Sequence, residues 1–344
     1  MKVLITGADG YIGAVLGPAL IERGHEITGL DSGYYRAGWL FRDGRDRPRV
    51  VTRDIRDVTR KDLEGYEAVI HLGELSNDPL GQHNPDVTFE INHRGSVALA
   101  SLAKASGVKR FVYSSSCSVY GVSRDAAPRS EEASVDPQTA YASCKILVER
   151  DVAQLANPSF TPVFLRNATA FGASPRMRFD LVLNNLAGLA WTSRKIAMTS
   201  DGSPWRPLIH VEDICRAMML ALEAPKEAVH CEILNVGSDE QTYQIHQIAD
   251  IVGNAFPECE LSFGPPGADN RSYRVSFAKI RERLIGFDCR WSASDGARQL
   301  RGLFERIQMT AEVFSAAPFT RLRQLRQLLE TRQIDDRFRW RRAG

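Results

Sequence analysis

The first 170 or so residues alternate two kinds of pattern. Short aliphatic or β-branched runs at Val3-Leu4-Ile5-Thr6, Glu26 to Leu30, Arg49-Val50-Val51-Thr52, Ala68-Val69-Ile70-His71, Arg110-Phe111-Val112-Tyr113 and Pro162-Val163-Phe164-Leu165 read as strands. Between them, Tyr11 to Arg23, Thr88 to Ala105 and Tyr141 to Leu155 place apolar residues at helical spacing, with Gly24 as a stop after the first. Strands alternating with helices of this length predict right-handed βαβ units and a parallel sheet covered on both faces. The fold class is therefore α/β, with a doubly wound parallel sheet over residues 1–172. Past residue 172 the regularity weakens: Asp201-Gly202-Ser203-Pro204 marks a turn, Glu212 to Glu223 a helix and Pro265-Pro266-Gly267 a loop. A smaller lobe over most of 173–344 is expected, with elements returning to the first domain from about 205–240. From Thr320 onward eight Arg face three acids, with Leu322, Leu325 and Leu329 at helical spacing. This tail reads as an amphipathic surface helix with a solvated basic face, or as a segment near an anionic ligand.

Composition narrows the class. A chain of 344 residues that is 43% hydrophobic and 25% charged has ample material for a core. Lys and Arg total 44 against 42 acids, so there is no overall basic excess of the kind a nucleic-acid binder needs. Six scattered Cys contain no C-x-x-C pair, which suits a reducing cytoplasm and argues against a disulfide framework or a zinc site. No apolar run approaches the ~18 residues of a membrane span. The N-terminus opens directly on the strand-like KVLIT, so no signal peptide is expected.

Chemistry begins in Gly7-Ala8-Asp9-Gly10-Tyr11-Ile12-Gly13, between the first strand and its helix. Gly7 permits a tight turn, Gly10 lets backbone approach a pyrophosphate, and Gly13 allows close helix–strand packing. The helix N-terminus offers free N–H groups to the phosphates. Asp31 stands at the end of the second strand, eighteen residues past Gly13. A carboxylate there accepts bonds from the adenosine ribose hydroxyls and repels a 2′-phosphate, so NAD is favoured over NADP.

Tyr141-Ala142-Ser143-Cys144-Lys145 sets a phenol and an ammonium at i and i+4, on one helix face. The fifth strand runs into Ser114-Ser115-Ser116-Cys117-Ser118-Val119-Tyr120-Gly121, at the carboxyl edge where ligands bind in this architecture. A phenol titrates near ~10, so Tyr141 needs Lys145 and an oxidised nicotinamide nearby to act as a base at neutral pH. A hydroxyl such as Ser116 completes a relay to the substrate oxygen.

With these motifs together, the sequence resembles the extended short-chain dehydrogenase/reductase family, specifically its NAD-dependent nucleotide-sugar epimerases and dehydratases. The resemblance runs from Met1 to roughly Lys279. It implies a Rossmann domain holding NAD, a C-terminal lobe for the sugar nucleotide, Tyr141 as general base, Lys145 as activator and ribose ligand, and Ser116 as hydroxyl partner. It also implies adenine contacts at Asp54 and Ile55 and a small-residue stretch beside the cofactor at Leu72-Gly73. Glu74 departs from the small residue usual there, and either shapes the sugar site or faces solvent. Asn92 matches a helix-borne Asn with a packing or contact role.

In the second lobe, Arg206 in Trp205-Arg206-Pro207-Leu208-Ile209-His210-Val211-Glu212-Asp213 matches a phosphate clamp. Arg271 is expected to bind phosphate too, and Arg178 and Asp180 to contact the nucleotide. His210 reads as a structural histidine and Asp213 as a helix cap. Thr169 stands where many members place an Asn that touches the sugar nucleotide. Ser76 and Ser118 complete the expected substrate contacts. Dehydratases of the family carry Asp-Glu after the Ser116 position, where this chain has Cys117-Ser118. Members with a catalytic Cys place it directly before Val-Tyr, a position held here by Ser118, which makes Cys117 a small filler. What remains is the set for C4 epimerisation, with other epimerases, dehydratases, a product-releasing dehydrogenase or a non-catalytic dinucleotide-binding regulator as alternatives. The resemblance further implies a homodimer through helices at 88–105 and 141–155, although Val97, Leu99, Leu102, Ile146 and Leu147 suit an internal core equally.

Overall fold

A computed structural model of the chain describes residues 1–76, 78–122, 127–198, 200–265 and 272–341. Its strands, in chain order, are β1 (Lys2–Thr6), β2 (Glu26–Asp31), β3 (Arg49–Thr52), β4 (Ala68–His71), β5 (Arg110–Ser116), β6 (Thr161–Asn167), β7 (Thr169–Phe171), β8 (Lys195–Ala197), β9 (Trp205–His210), β10 (Ile233–Val236), β11 (Thr242–Gln244) and β12 (Glu260–Ser262). Seven of them form one parallel sheet in the order β10-β6-β5-β4-β1-β2-β3. The order reverses at β1, where Val3 lies between Ile27 of β2 and Ala68 of β4. That reversal opens a crevice at the carboxyl ends of β1 and β4, the ligand position of open α/β sheets.

Side chains alternate across the sheet, as strand geometry requires. Val3 and Ile5 enter one core layer with Val15, Leu16 and Leu20 of the helix Gly13–Glu22 and Ile214, Ala217 and Met218 of the helix Val211–Glu223. Leu4 enters the other with Leu99 and Ala100 of the helix Ser96–Ala105 and Val148 and Val152 of the helix Ala140–Ala153. Strand β10 arrives late in the chain and pairs with β6, so the large sheet draws on both halves of the sequence. Two smaller sheets stand apart from it, the three-stranded β11-β9-β7 and the pair β12-β8, and they lie in the part expected as a second lobe except for β7.

Two expected helices differ in detail. The first starts at Gly13 rather than Tyr11, because Gly10 N–H donates to Gly7 O at 3.0 Å and holds the intervening residues in a turn. The stretch expected as one helix over 88–105 is a short helix Pro85–Thr88, a π-helical stretch Phe89–Gly95 and the helix Ser96–Ala105. Such single widened turns are frequent at functional sites. Here the widened turn carries Asn92, fully buried, whose amide accepts from Leu75 N–H at 2.8 Å and donates to Leu75 O at 2.9 Å. Asn92 thus clamps the loop that follows β4.

Candidate functional site

One cleft of about 700 Å³ runs along the carboxyl edge of the sheet and into the second lobe. At one end lies the glycine turn. Gly7 sits at φ +70°, and a Cβ there would stand 2.8 Å from the backbone of Leu72. A Cβ on Gly13 would stand 2.3 Å from Gly7 O. Only hydrogen fits at these positions, and Tyr11, Ile12 and Gly13 line the cleft where the helix begins. The Tyr11 hydroxyl donates to Gly172 O at 2.7 Å and so joins the turn to the start of the second lobe.

Asp31 also lines the cleft, its carboxylate fixed by the N–H groups of Asp9 (3.1 Å) and Gly33 (2.8 Å). Burial raises its pKa while the Gly33 N–H opposes the rise. The expected adenine pair, Asp54 and Ile55, and the small-residue stretch Leu72-Gly73 lie in the same wall. Asp54 is braced there by the Arg56 guanidinium, at 2.6 and 3.0 Å. Arg176, which sequence reasoning missed, is buried and ties this end together. It pairs with Asp9 at 2.7 Å and donates to Tyr35 O (2.9 Å) and Arg36 O (2.6 Å). A glycine cradle against a helix N-terminus and a fixed carboxylate at the next strand end suit a dinucleotide with free ribose hydroxyls.

The other end brings Ser116, Tyr141 and Lys145 together, as the spacing predicts. The helix Ala140–Ala153 starts under a Thr139 cap, whose side chain accepts from Ala142 N–H, so the Tyr-to-Lys face is fixed from its first turn. Lys145 Nζ lies 5.3 Å from the centre of the Tyr141 ring and donates to Ser114 O at 2.5 Å. Burial raises the pKa of Tyr141, Lys145 counteracts the rise, and Glu74 adds to it; the Ser116 hydroxyl acts in the same direction as Lys145. Burial works against the charge of Lys145, but Glu74 and then the Tyr141 phenol outweigh it, and its pKa ends raised.

Glu74 faces neither solvent nor the sugar alone. Its side chain is only 3% exposed, and one carboxylate oxygen sits 2.7 Å from Lys145 Nζ. The other accepts from Ser96 Oγ (3.0 Å) and Tyr113 OH (2.7 Å). Because a carboxylate only accepts, Ser96 must give it a proton, so the Ser96 oxygen takes one from His71 Nε2–H at 2.7 Å. His71 Nδ1 then accepts from Thr6 Oγ1 at 2.6 Å, and the Thr6 oxygen accepts from the N–H groups of Leu72 and Gly73. The chain of donors assigns the tautomer of His71. Burial first, then Lys145, pulls its pKa down to about 4, so the ring is neutral at pH 7. The only sign in the sequence was an acid inside an otherwise small, apolar run after β4.

The remaining substrate candidates divide. Ser76, Ser118, Thr169, Arg178, Asp180 and Arg206 all line the cleft, whereas Arg271 lies outside the described residues. Arg178 is held in a fork by Asp180 (2.9 and 3.1 Å) and donates to Ser76 Oγ at 3.3 Å. The Arg206 guanidinium lies 5.4 Å from the Tyr273 ring centre. Ser118 Oγ and Asn167 Oδ1 are buried without hydrogen-bond partners among the described residues and border the cleft beside Ser116. Asn167 is a second residue that sequence reasoning passed over, two positions before Thr169. Cys117 is buried with its thiol 3.1 Å from Arg166 O, and burial raises its pKa, which fits a filler.

His210 is structural, stacked on Trp291 with its ring centre 4.2 Å away and 2.9 Å from Gln299 Oε1. The helix cap expected of Asp213 belongs instead to His210, whose side chain accepts from Glu212 N–H. Asp213 lies inside the first turn and accepts from the N–H groups of Arg290 and Trp291, holding a separate loop. Among the described residues no group of His, Cys, Asp and Glu is arranged to hold a metal ion.

Comparison with known proteins places this geometry. The model of the NAD dependent epimerase/dehydratase family matches residues 3–237, and the chain belongs to that family. It is an enzyme family whose cofactor is NAD, which the cradle and Asp31 fit. The chain is 30% identical over 317 residues to a UDP-glucose 4-epimerase of Mycolicibacterium smegmatis, covering 86% of this chain and 96% of that one. It is 28% identical over 269 residues to a UDP-glucose 4-epimerase of Corynebacterium glutamicum, covering 73% and 79%. The solved UDP-glucose 4-epimerase of Thermotoga maritima superposes with a TM-score of 0.77 over 90% of this chain and 100% of that one, at 21% identity, and so shares the fold.

Proposed function

We propose that this protein is a nucleotide-sugar 4-epimerase, with a UDP-hexose as the first substrate class to test. The observation that carries this reading is the makeup of the reaction end. Ser116, Tyr141 and Lys145 converge there, while the nearby acids are engaged, Glu74 by Lys145 and Asp78 by the Thr139 hydroxyl at 2.5 Å. A 4,6-elimination needs a further acid/base pair next to Ser116, and this chain has Cys117-Ser118.

NAD, when bound, supplies the acceptor and donor of a hydride. Tyr141 takes the proton of the sugar 4-hydroxyl, with the Ser116 hydroxyl between or beside the two oxygens. Lys145 balances the phenolate charge, and Glu74 and Ser114 O fix where that ammonium stands. Inversion would follow if the 4-keto sugar turned in the cleft before the hydride came back, and Tyr141 would then return its proton to the 4-oxygen. Burial raises the phenol pKa, Lys145 lowers it, and Glu74 offsets part of that help. Arg206 lies along the substrate side as a phosphate ligand, and Arg178, its fork held by Asp180, as part of the nucleotide wall.

The test incubates purified protein with UDP-glucose and, separately, UDP-galactose. Interconversion without net NADH supports the reading, and accumulation of NADH in step with product identifies a dehydrogenase instead. No conversion of any nucleotide sugar in a wider panel leaves the regulator reading. We further propose a cytoplasmic enzyme acting as a homodimer through the helices Ser96–Ala105 and Ala140–Ala153. All six cysteines are free thiols, and no described helix is long and apolar enough to cross a membrane. Leu99 belongs to the core, but Val97, Leu102, Ile146 and Leu147 are partly exposed on those helices. A monomeric mass in sedimentation equilibrium removes the dimer.

A further inference from the structure

The tail, expected as a solvated surface helix or as a segment near an anionic ligand, enters the cleft. The helix Arg321–Glu330 buries Arg321, Gln324, Leu325 and Leu328, and Thr320, Arg321 and Leu322 line the same cleft as the glycine turn. Arg321 is 3% exposed, and its guanidinium lies 3.9 Å from the centre of the Tyr35 ring. Among the described residues that guanidinium makes no hydrogen bond or ion pair. Its nitrogens are not sealed from the cleft, so a largely desolvated cation faces that space with no counter-ion among those residues bonded to it. The acids around it are already engaged: Asp31 by two backbone N–H groups, and Asp180 by the Arg178 fork and by Arg321's own N–H at 3.3 Å.

The rest of the segment grips the residues expected around adenosine. Gln324 donates to Tyr34 O at 3.0 Å, Tyr34 OH to Phe338 O at 2.5 Å, and Trp340 Nε1 to Ser32 O at 2.6 Å. Arg339 pairs with Asp57 at 2.5 Å and stands 3.6 Å from Asp54. Arg56 donates to Arg337 O at 2.9 Å. These anchors sit on the loops after β2 and β3, and none of them touches the Tyr141 end.

We propose that Arg321 is a ligand of the NAD diphosphate and that residues 320–341 strap the adenosine half of the cofactor into its cleft. An unpaired, forked cation in the same cleft as a glycine cradle suits a diphosphate, which accepts two parallel N–H bonds from guanidinium. Burial first, and Arg178 next, lower the Arg321 pKa to about 10, consistent with a cation awaiting an anion. The inference rests on the dinucleotide site and not on which carbon is inverted.

The experiment uses the full chain stripped of nucleotide, with ADP, adenosine and UDP as calorimetric probes. Arg321→Gln weakens ADP binding on the order of 10–100-fold, the worth of hydrogen bonds to a charged group. Adenosine and UDP affinities stay within about twofold, the scale of a change worth under half a kcal/mol. Arg321→Lys, which keeps the charge and suits a chain that does not fold without it, weakens ADP several-fold through loss of the fork. Unchanged ADP affinity in either folded variant overturns the assignment. So does a loss confined to UDP, which moves Arg321 to the sugar nucleotide. Because binding rather than turnover is read, failure here leaves the epimerase reading untouched.

Discussion

The two ends of the cleft are built by different means. At the glycine end the turn itself is backbone: Gly7 and Gly13 hold positions that no Cβ fits, a helix start supplies N–H groups, and side chains such as Asp31 stand around it. At the Tyr141 end the chain works with buried charge, a Glu74–Lys145 pair fed by a hydrogen-bond chain through Ser96, His71 and Thr6. A site made of backbone fails all at once when atoms are added. A site made of opposed charges can be tuned, because each partner shifts the other's protonation.

Four substitutions set that contrast against measurement. Tyr141→Phe removes the proton carrier, and kcat falls on the order of 10²–10⁴-fold while co-purified NAD is retained. Near-normal turnover removes Tyr141 from the chemistry. Gly13→Val forces the turn apart and weakens NAD binding on the order of 10–100-fold, the cost of overpacking a tight contact. Retained NAD in that variant shows that the turn yields more easily than its 2.3 Å contact implies.

Glu74→Gln separates the two ends most sharply. The Glu74 anion holds the phenol pKa up, so removing its charge lowers that pKa and moves the acid limb of kcat/KM toward lower pH by about one unit, a tenfold gain on that limb. An unmoved limb severs Glu74 from Tyr141, and a change in NAD affinity of similar size places Glu74 in cofactor binding instead. Asp31→Ala gives an effect of similar size, a relaxation of NAD over NADP preference by about tenfold, the worth of a charged hydrogen bond. Unchanged selectivity in the ratio of the two binding constants contradicts the ribose role.

The same contrast explains what could be read ahead of the structure. Strands β3 and β4 fall where the sequence places them, and the glycine turn, Asp31, Ser116, Tyr141 and Lys145 come together as their spacing predicts. These are local patterns, set by residues a few positions apart. The π-helical stretch was not legible, because one extra residue in a turn leaves the apolar spacing almost unchanged. Arg176 was missed, and Arg321 was not singled out within the basic tail, for a different reason. Their partners, Asp9 and Tyr35, lie 167 and 286 positions away, so only the folded chain shows that they point inward. The Leu322, Leu325 and Leu329 stripe indicated the correct helix but not its inner face, which also includes Arg321 and Gln324.

Strand β10 has a bearing on how the protein comes into being. It completes the sheet at residue 236 of 344, beside β6 and two strands from the Ser116 edge. Until the ribosome has delivered that stretch, the nascent chain carries β6 as an open edge, with a row of amides and carbonyls ready to pair with any neighbouring strand. Translation must therefore run well past the helix that carries Tyr141 and Lys145 before β6 gains its second neighbour, and the edge of the sheet then passes to the four residues of β10.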